Sequence, residues 1–164
     1  MRLAVPFIKQ STDYNCGPTA LQMVLQYFGK SVADATVAAM AATTEENGTP
    51  RKGLIRTLQI LGLETHFHSN SSIAELKFFL DQGAPIIVGY RDLRHDESHF
   101  GVVVGYEDEY LLLHDPSEDS PFTPIFVQDF LDRWYGRHTK HHTRWILAAS
   151  NKPFVPFEGD IVNG

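Results

Sequence analysis

Gln10-Ser-Thr-Asp-Tyr-Asn-Cys16-Gly-Pro-Thr-Ala-Leu-Gln-Met-Val-Leu-Gln-Tyr-Phe-Gly29 is the stretch that decides how the rest of the chain is read. Leu21, Val24, Leu25 and Phe28 recur at the i, i+3, i+4, i+7 spacing of one helix face. Pro18 suits the first turn, where its missing N–H is no loss, and Gly29 supplies a left-handed stop. Cys16, the single cysteine, therefore stands at or just before a helix N-terminus. The partial positive charge at such an end, roughly half an elementary charge, favours thiolate over thiol. Two roles fit that position: the nucleophile of a cysteine hydrolase, or a small core residue.

Composition narrows the frame. A chain of 164 residues suits one domain over 1–164 with its own core. Hydrophobic and charged fractions of 43% and 21% are those of an ordinary globular protein. One cysteine forms no internal disulfide, so nothing points to an oxidising compartment. A net charge of −6 without a lysine/arginine cluster argues against nucleic acid as a partner. Met1 to Val5 is cut short by Pro6, too brief for a signal peptide, and no apolar run approaches a membrane span. The cytoplasm is the expected location. Nothing in the sequence fixes an oligomeric state.

Working outward from Cys16, the alanine-rich run 32–42 reads as a second short helix, and Thr43 to Pro50 as a loop. Leu54, Ile55, Leu58 and Leu61 mark a helix stopped at Gly62, followed by a short strand over 64–68. Ser72-Ile-Ala-Glu75 is a capping-box pattern opening a helix that ends near Gly83. Buried strands follow at 86–90 and 100–106. A polar turn at 107–109 leads to the hairpin partner 110–114. Residues 116–124 read as loop, 127–135 as a short helix, and 145–149 as a last strand, with a loosely docked tail from about 152. Helices first and an antiparallel sheet after them is the α+β order.

A cysteine nucleophile needs an imidazole in hydrogen-bond reach, oriented in turn by a third group. Two even registers of the hairpin, one with Tyr106 facing Tyr110 and one centred on Glu107, both place His99 and Asp115 on one sheet face. An odd register separates them. The plainer alternative is a strand-end histidine and a turn-starting aspartate. His114 points to the other face and reads as structural, and His95 as solvated. His66 and His68 share a strand face without an evident cysteine or carboxylate partner. His138, His141 and His142 sit in a basic stretch with Arg137, Lys140 and Arg144. No metal ligand set or cofactor site is assigned.

Taken together, Gln10-x5-Cys16-Gly-Pro-Thr-Ala-Leu, Tyr27-Phe-Gly29, His99-Phe-Gly-Val-Val-Val and His114-Asp115-Pro116 resemble the double-glycine leader peptidases. These are papain-like cysteine peptidases best known as N-terminal domains of bacteriocin exporters. The likeness runs from about Pro6 to Leu147 and includes Gly48 to Leu63. It implies Cys16 as nucleophile, His99 as general base, Asp115 as its orienting carboxylate and Gln10 as an oxyanion donor. Such a donor is worth about 3 kcal/mol in the transition state. The resemblance also implies a peptide substrate, cleavage after two small residues and no cofactor. The exporter's membrane helices and nucleotide-binding domain are not in this sequence.

The expectation is therefore an α+β, papain-like domain with N-terminal helices packed on a C-terminal antiparallel sheet. It acts as a peptidase through a thioester acyl-enzyme. Two other functions use the same residues: acyl transfer to a small thiol or amine, and idle peptide binding.

Overall fold

The computed structural model describes residues 1–92, 94–136 and 144–159. The helix after Cys16 forms as its spacing requires: α1 spans Cys16–Tyr27, with Leu21, Val24 and Leu25 wholly buried. Gly29 turns the chain at φ +76°, a conformation that favours glycine. Then come α2 (Asp34–Met40), α3 (Arg51–Ile60), β1 (Glu64–His68) and α4 (Ile73–Asp81). The second half supplies β2 (Ile86–Arg91), β3 (Ser98–Glu107), β4 (Tyr110–His114), β5 (Thr123–Phe126), α5 (Val127–Arg133) and β6 (Ile146–Ser150).

The strands make one six-stranded antiparallel sheet in the order β1-β6-β2-β3-β4-β5. Helices pack on it, α1 against β3, with the apolar core between. The expected α+β, papain-like architecture is the one observed. One feature departs from the sequence reading. Residues 123–126 form an edge strand rather than loop; Pro124 lacks an N–H for the ladder, and an edge position tolerates that. The last strand, β6, forms where the sequence reading puts it and sits inside the sheet, between β1 and β2.

The β3–β4 hairpin follows neither expected register at its turn. Glu107 pairs with Tyr110 across Asp108 and Glu109, followed by Tyr106 with Leu111 and Gly105 with Leu112. That is the odd register, which would put His99 and Asp115 on opposite faces. A bulge at Val104 then shifts the ladder, so that Val103 pairs with Leu113 and Val102 with His114. The carbonyl of Val104 accepts from Leu3 N–H at 2.7 Å. Gly105 lets the N-terminal segment approach, since a Cβ there would run into the Met1 carbonyl. The even register is thus restored before the strands reach His99.

Beyond Lys152 the chain lies against α4. The Gln82 side chain donates to the Val155 carbonyl at 3.1 Å and accepts from Val155 N–H at 2.9 Å. Phe154 packs edge-on to Phe79 and Phe157 lies beside Phe78, both with centroids 5.4 Å apart.

Candidate active site

Cys16 is the first residue of α1, and no side chain caps that helix end. Asn15, just before it, is buried and turned away. Its amide donates to Ser11 Oγ and to Asp34 Oδ2, each at 3.2 Å, and its carbonyl accepts from Thr19 N–H at 3.0 Å. The start of α1 is thereby tied to α2, and the thiol, partly exposed, faces a cleft.

His99 comes near the start of β3 and is only 8% exposed. Its Nε2 lies 2.7 Å from Asp115 Oδ1, and the Cys16 side chain stands near enough to the ring to act on its protonation. With Nε2 committed to the carboxylate, Nδ1 is the ring nitrogen left for sulfur. Burial alone would pull the imidazole pKa down. The hydrogen bonds and charges of Asp115 and Cys16 outweigh it and push it up to about 10. Cys16, His99 and Asp115 are therefore brought together as one chain of contacts.

Asp115 follows β4 and is 9% exposed. Its Oδ1 also accepts from Ser117 N–H at 2.9 Å and Ser117 Oγ at 2.7 Å, while Oδ2 accepts from the Tyr90 hydroxyl at 3.0 Å. Burial raises the carboxyl pKa, but His99 and Ser117 more than offset this and hold it down at about 2. Tyr90, the cross-strand neighbour of His99, stacks edge-on to it at 5.6 Å. Burial, and then the charge of Asp115, push the phenol well above its ordinary pKa, so it remains a donor. Sequence reasoning named neither Tyr90 nor Ser117. The Asp-Pro-Ser order was the legible signal for Ser117, because aspartate side chains accept from the N–H two residues on. Tyr90 carried no such mark.

Gln10 is placed beside this group by its backbone, whose N–H donates to the Pro116 carbonyl at 2.9 Å. Its side-chain Nε2 donates to the Thr12 carbonyl at 2.9 Å, and its Oε1 is buried without a partner. One amide hydrogen holds the side chain; the second is left over.

The other histidines fall away from the site. His114 is fully buried, with Nε2 2.7 Å from the Val5 carbonyl and Nδ1 accepting from Phe122 N–H at 3.2 Å. Burial lowers its pKa and keeps it neutral. His95 is exposed beside Asp92. His66 and His68 do have a carboxylate partner, contrary to the sequence reading. Buried Glu75 meets His66 Nε2 at 3.2 Å and His68 Nδ1 at 3.1 Å. The capping box is accordingly half-built. Ser72 Oγ accepts from Glu75 N–H at 3.1 Å, while the Glu75 carboxylate turns to the β1 histidines. His138, His141 and His142 lie outside the described residues.

The cleft in front of Cys16 has a volume of about 840 Å³. Tyr14, Thr49, Arg51, Gly89 and Phe100 are among its walls. No helix among the described residues is long and apolar enough to cross a membrane.

Residues 2–141 match the model of the family described as Peptidase_C39 like. An uncharacterised protein of Methanothermobacter marburgensis is 31% identical over 110 residues, which cover 67% of this chain and 70% of that protein. The lactococcin-A transport/processing ATP-binding protein LcnC of Lactococcus lactis is 26% identical over 158 residues, 92% of this chain but 21% of its own. The chain thus spans about a fifth of that transporter's length. Among solved structures, a double glycine motif protease from an AMS/PCAT transporter, in complex with the leader peptide, superposes with a TM-score of 0.67. It is 21% identical, and 90% of this chain and 92% of that one are covered.

Proposed function

Because this chain belongs to the Peptidase_C39 like family, we propose that it is a cysteine peptidase and that Cys16, His99, Asp115 and Gln10 carry the reaction. The observation that carries this reading is the chain of contacts from Cys16 through His99 to Asp115 at the wall of an open cleft. All four groups belong to one domain over residues 1–164.

In this mechanism the Cys16 sulfur, its proton held on His99, attacks the carbonyl carbon of the scissile peptide bond. The carbonyl oxygen becomes an oxyanion, met by the Cys16 backbone N–H at the uncapped helix start and by the remaining Gln10 amide hydrogen. His99 gives its proton to the leaving amine as the C–N bond breaks, leaving a thioester on Cys16. Water, deprotonated by His99, then attacks the thioester and releases the acid and the thiol. Asp115 keeps the ring oriented and balances its positive charge in both half-reactions.

Cleavage follows two small residues, on this reading. Its supports are the family likeness and the double glycine motif protease among the structural relatives. Intact-mass spectrometry of the protein incubated with Gly-Gly-containing peptides tests both claims. An acyl adduct on Cys16, absent in Cys16→Ala and replaced by cleaved peptide on longer incubation, is expected. Cleavage that persists in Cys16→Ala overturns the mechanism, and equally fast cleavage after bulky residues overturns the specificity.

A further inference from the structure

Arg51, the first residue of α3, has a setting that the peptidase chemistry above does not use. Its guanidinium lies over the indole of Trp145, 4.9 Å from the ring centroid. Gly89 and Gly136 form the walls beside it; a Cβ on them would stand 3.8 Å and 2.8 Å from Nη2. Arg91, the other arginine of the cleft, already pairs with Asp96. Among the described residues Arg51 has no carboxylate partner. It is half withdrawn from water, and that burial lowers its pKa.

Such a setting is costly for a cation unless something completes it. The indole satisfies only a π face and leaves the planar N–H edge of the guanidinium without an anion, the edge whose geometry fits a carboxylate. The position is also close to the nucleophile. Thr49, two residues before Arg51, packs so tightly on Gly17 that a Cβ there would collide with its side chain, and Cys16 and Arg51 line the same cleft. The cleft lining also carries Asp13, Glu45, Glu46 and Glu97, whose charges disfavour a negative group away from Arg51. Among the described residues that line the cleft, Arg51 is therefore the cation left open to a negative charge, with carboxylates around it.

We propose that Arg51 is a specificity-determining residue that receives one carboxylate of the substrate peptide beside Cys16. This deepens the peptidase reading and rests on it. The carboxylate has two possible sources, an aspartate or glutamate side chain or the free C-terminus. Both present the same planar anion to the guanidinium.

Three probes separate the sources without requiring turnover: the N-acetylated peptide Gly-Gly-Gln-Ala as its amide, the same amide with Glu for Gln, and the original sequence as the free acid. Each is titrated into the wild type, Arg51→Met and Arg51→Lys, following tryptophan emission, since Trp145 lies under the guanidinium. One of the two charged probes is expected to bind about tenfold or more tighter than the neutral amide. Arg51→Met should remove that preference and leave the neutral peptide's affinity within about twofold, while Arg51→Lys keeps part of it. Equal binding of all three probes by the wild type, or an equal loss for all three in Arg51→Met, overturns the proposal. Failure of the peptidase reading appears separately, as the absence of any acyl adduct on Cys16 while the charge preference persists.

Discussion

His99 and Asp115 are joined at 2.7 Å although they are not opposite one another across β3 and β4. In the register set by Val102 and His114, Asp115 faces Gly101 and reaches His99 on the diagonal. The contact depends on the bulge at Val104, which converts the turn's odd pairing into an even one.

Asp115→Asn should leave the fold intact and lower kcat. The amide oxygen can take over Oδ1, accepting from His99 and Ser117, while the Tyr90 hydroxyl turns to accept from the amide. The charge that steadies the imidazolium is gone. In a serine protease the equivalent change costs ~10⁴-fold. A smaller loss is expected here, because the charge on sulfur also steadies the ring. Steady-state kinetics with an unchanged circular dichroism spectrum checks it; an unchanged kcat removes Asp115 from the site.

The pH dependence follows from the same pair. His99, raised to about 10, gives stability that is fully present below its unfolded value of about 6.5 and is lost as the pH climbs through 10. Asp115, held at about 2, gives stability present above about 3.9 and lost as the pH falls through 2. Urea unfolding of the wild type should therefore show a plateau between about pH 3.9 and about pH 6.5, where both contributions are full. In Asp115→Asn the alkaline fall should be smaller and end at lower pH, because only the folded-state pKa of His99 drops. The alkaline limb of kcat/KM should move the same way, because it reports loss of the imidazolium.

Gln10→Ala should separate activation of the nucleophile from stabilisation of the oxyanion. The Gln10 side chain touches the Thr12 carbonyl and not the His99–Asp115 pair. Iodoacetamide should label Cys16 in this variant as fast as in the wild type at about pH 6, while kcat falls by roughly 10²–10³-fold. His99→Ala should do the reverse to labelling, slowing it sharply. A Gln10→Ala variant that hydrolyses normally leaves Gln10 without a part in the reaction.

His114 and Asp115 are neighbours with opposite duties. His114→Ala strips a partner from the Val5 carbonyl and from Phe122 N–H in a fully buried place. A loss of about 2–4 kcal/mol of stability is expected, with the labelling rate of the remaining folded protein unchanged. Slower labelling with intact stability would move His114 into the site.

What the sequence made legible was whatever is written locally. The apolar face after Cys16 and the strand at 64–68 emerged within a residue or two, because periodicity and caps act over a single turn or strand. The pairing of His99 with Asp115 could be read only by assuming an even register, which the turn itself does not have. A bulge leaves little trace in one strand's sequence, since its partner is the N-terminal segment a hundred residues away. Glu75 was misassigned for a similar reason. Its spacing from Ser72 spells a cap, but tertiary contact with His66 and His68 competes for the same carboxylate and wins. Tyr90 and Arg51 lay hidden because their roles come from what the fold places across from them.

β6, though last in the chain, is wedged between β1 and β2. Every residue assigned to the chemistry precedes Ser117, and β3 and β4, which bring His99 and Asp115 together, pair without β6; only β1 waits for Ile146–Ser150 to join the sheet. As the chain leaves the ribosome, Cys16, His99 and Asp115 emerge together with the strands that space them, well before the sheet is complete. What arrives with Ile146–Ser150 is the seam to β1, which fastens the segment between α3 and α4 onto the rest of the sheet. The long sequence separation between β1 and β6 also makes slow, sheet-limited folding the expected kinetics.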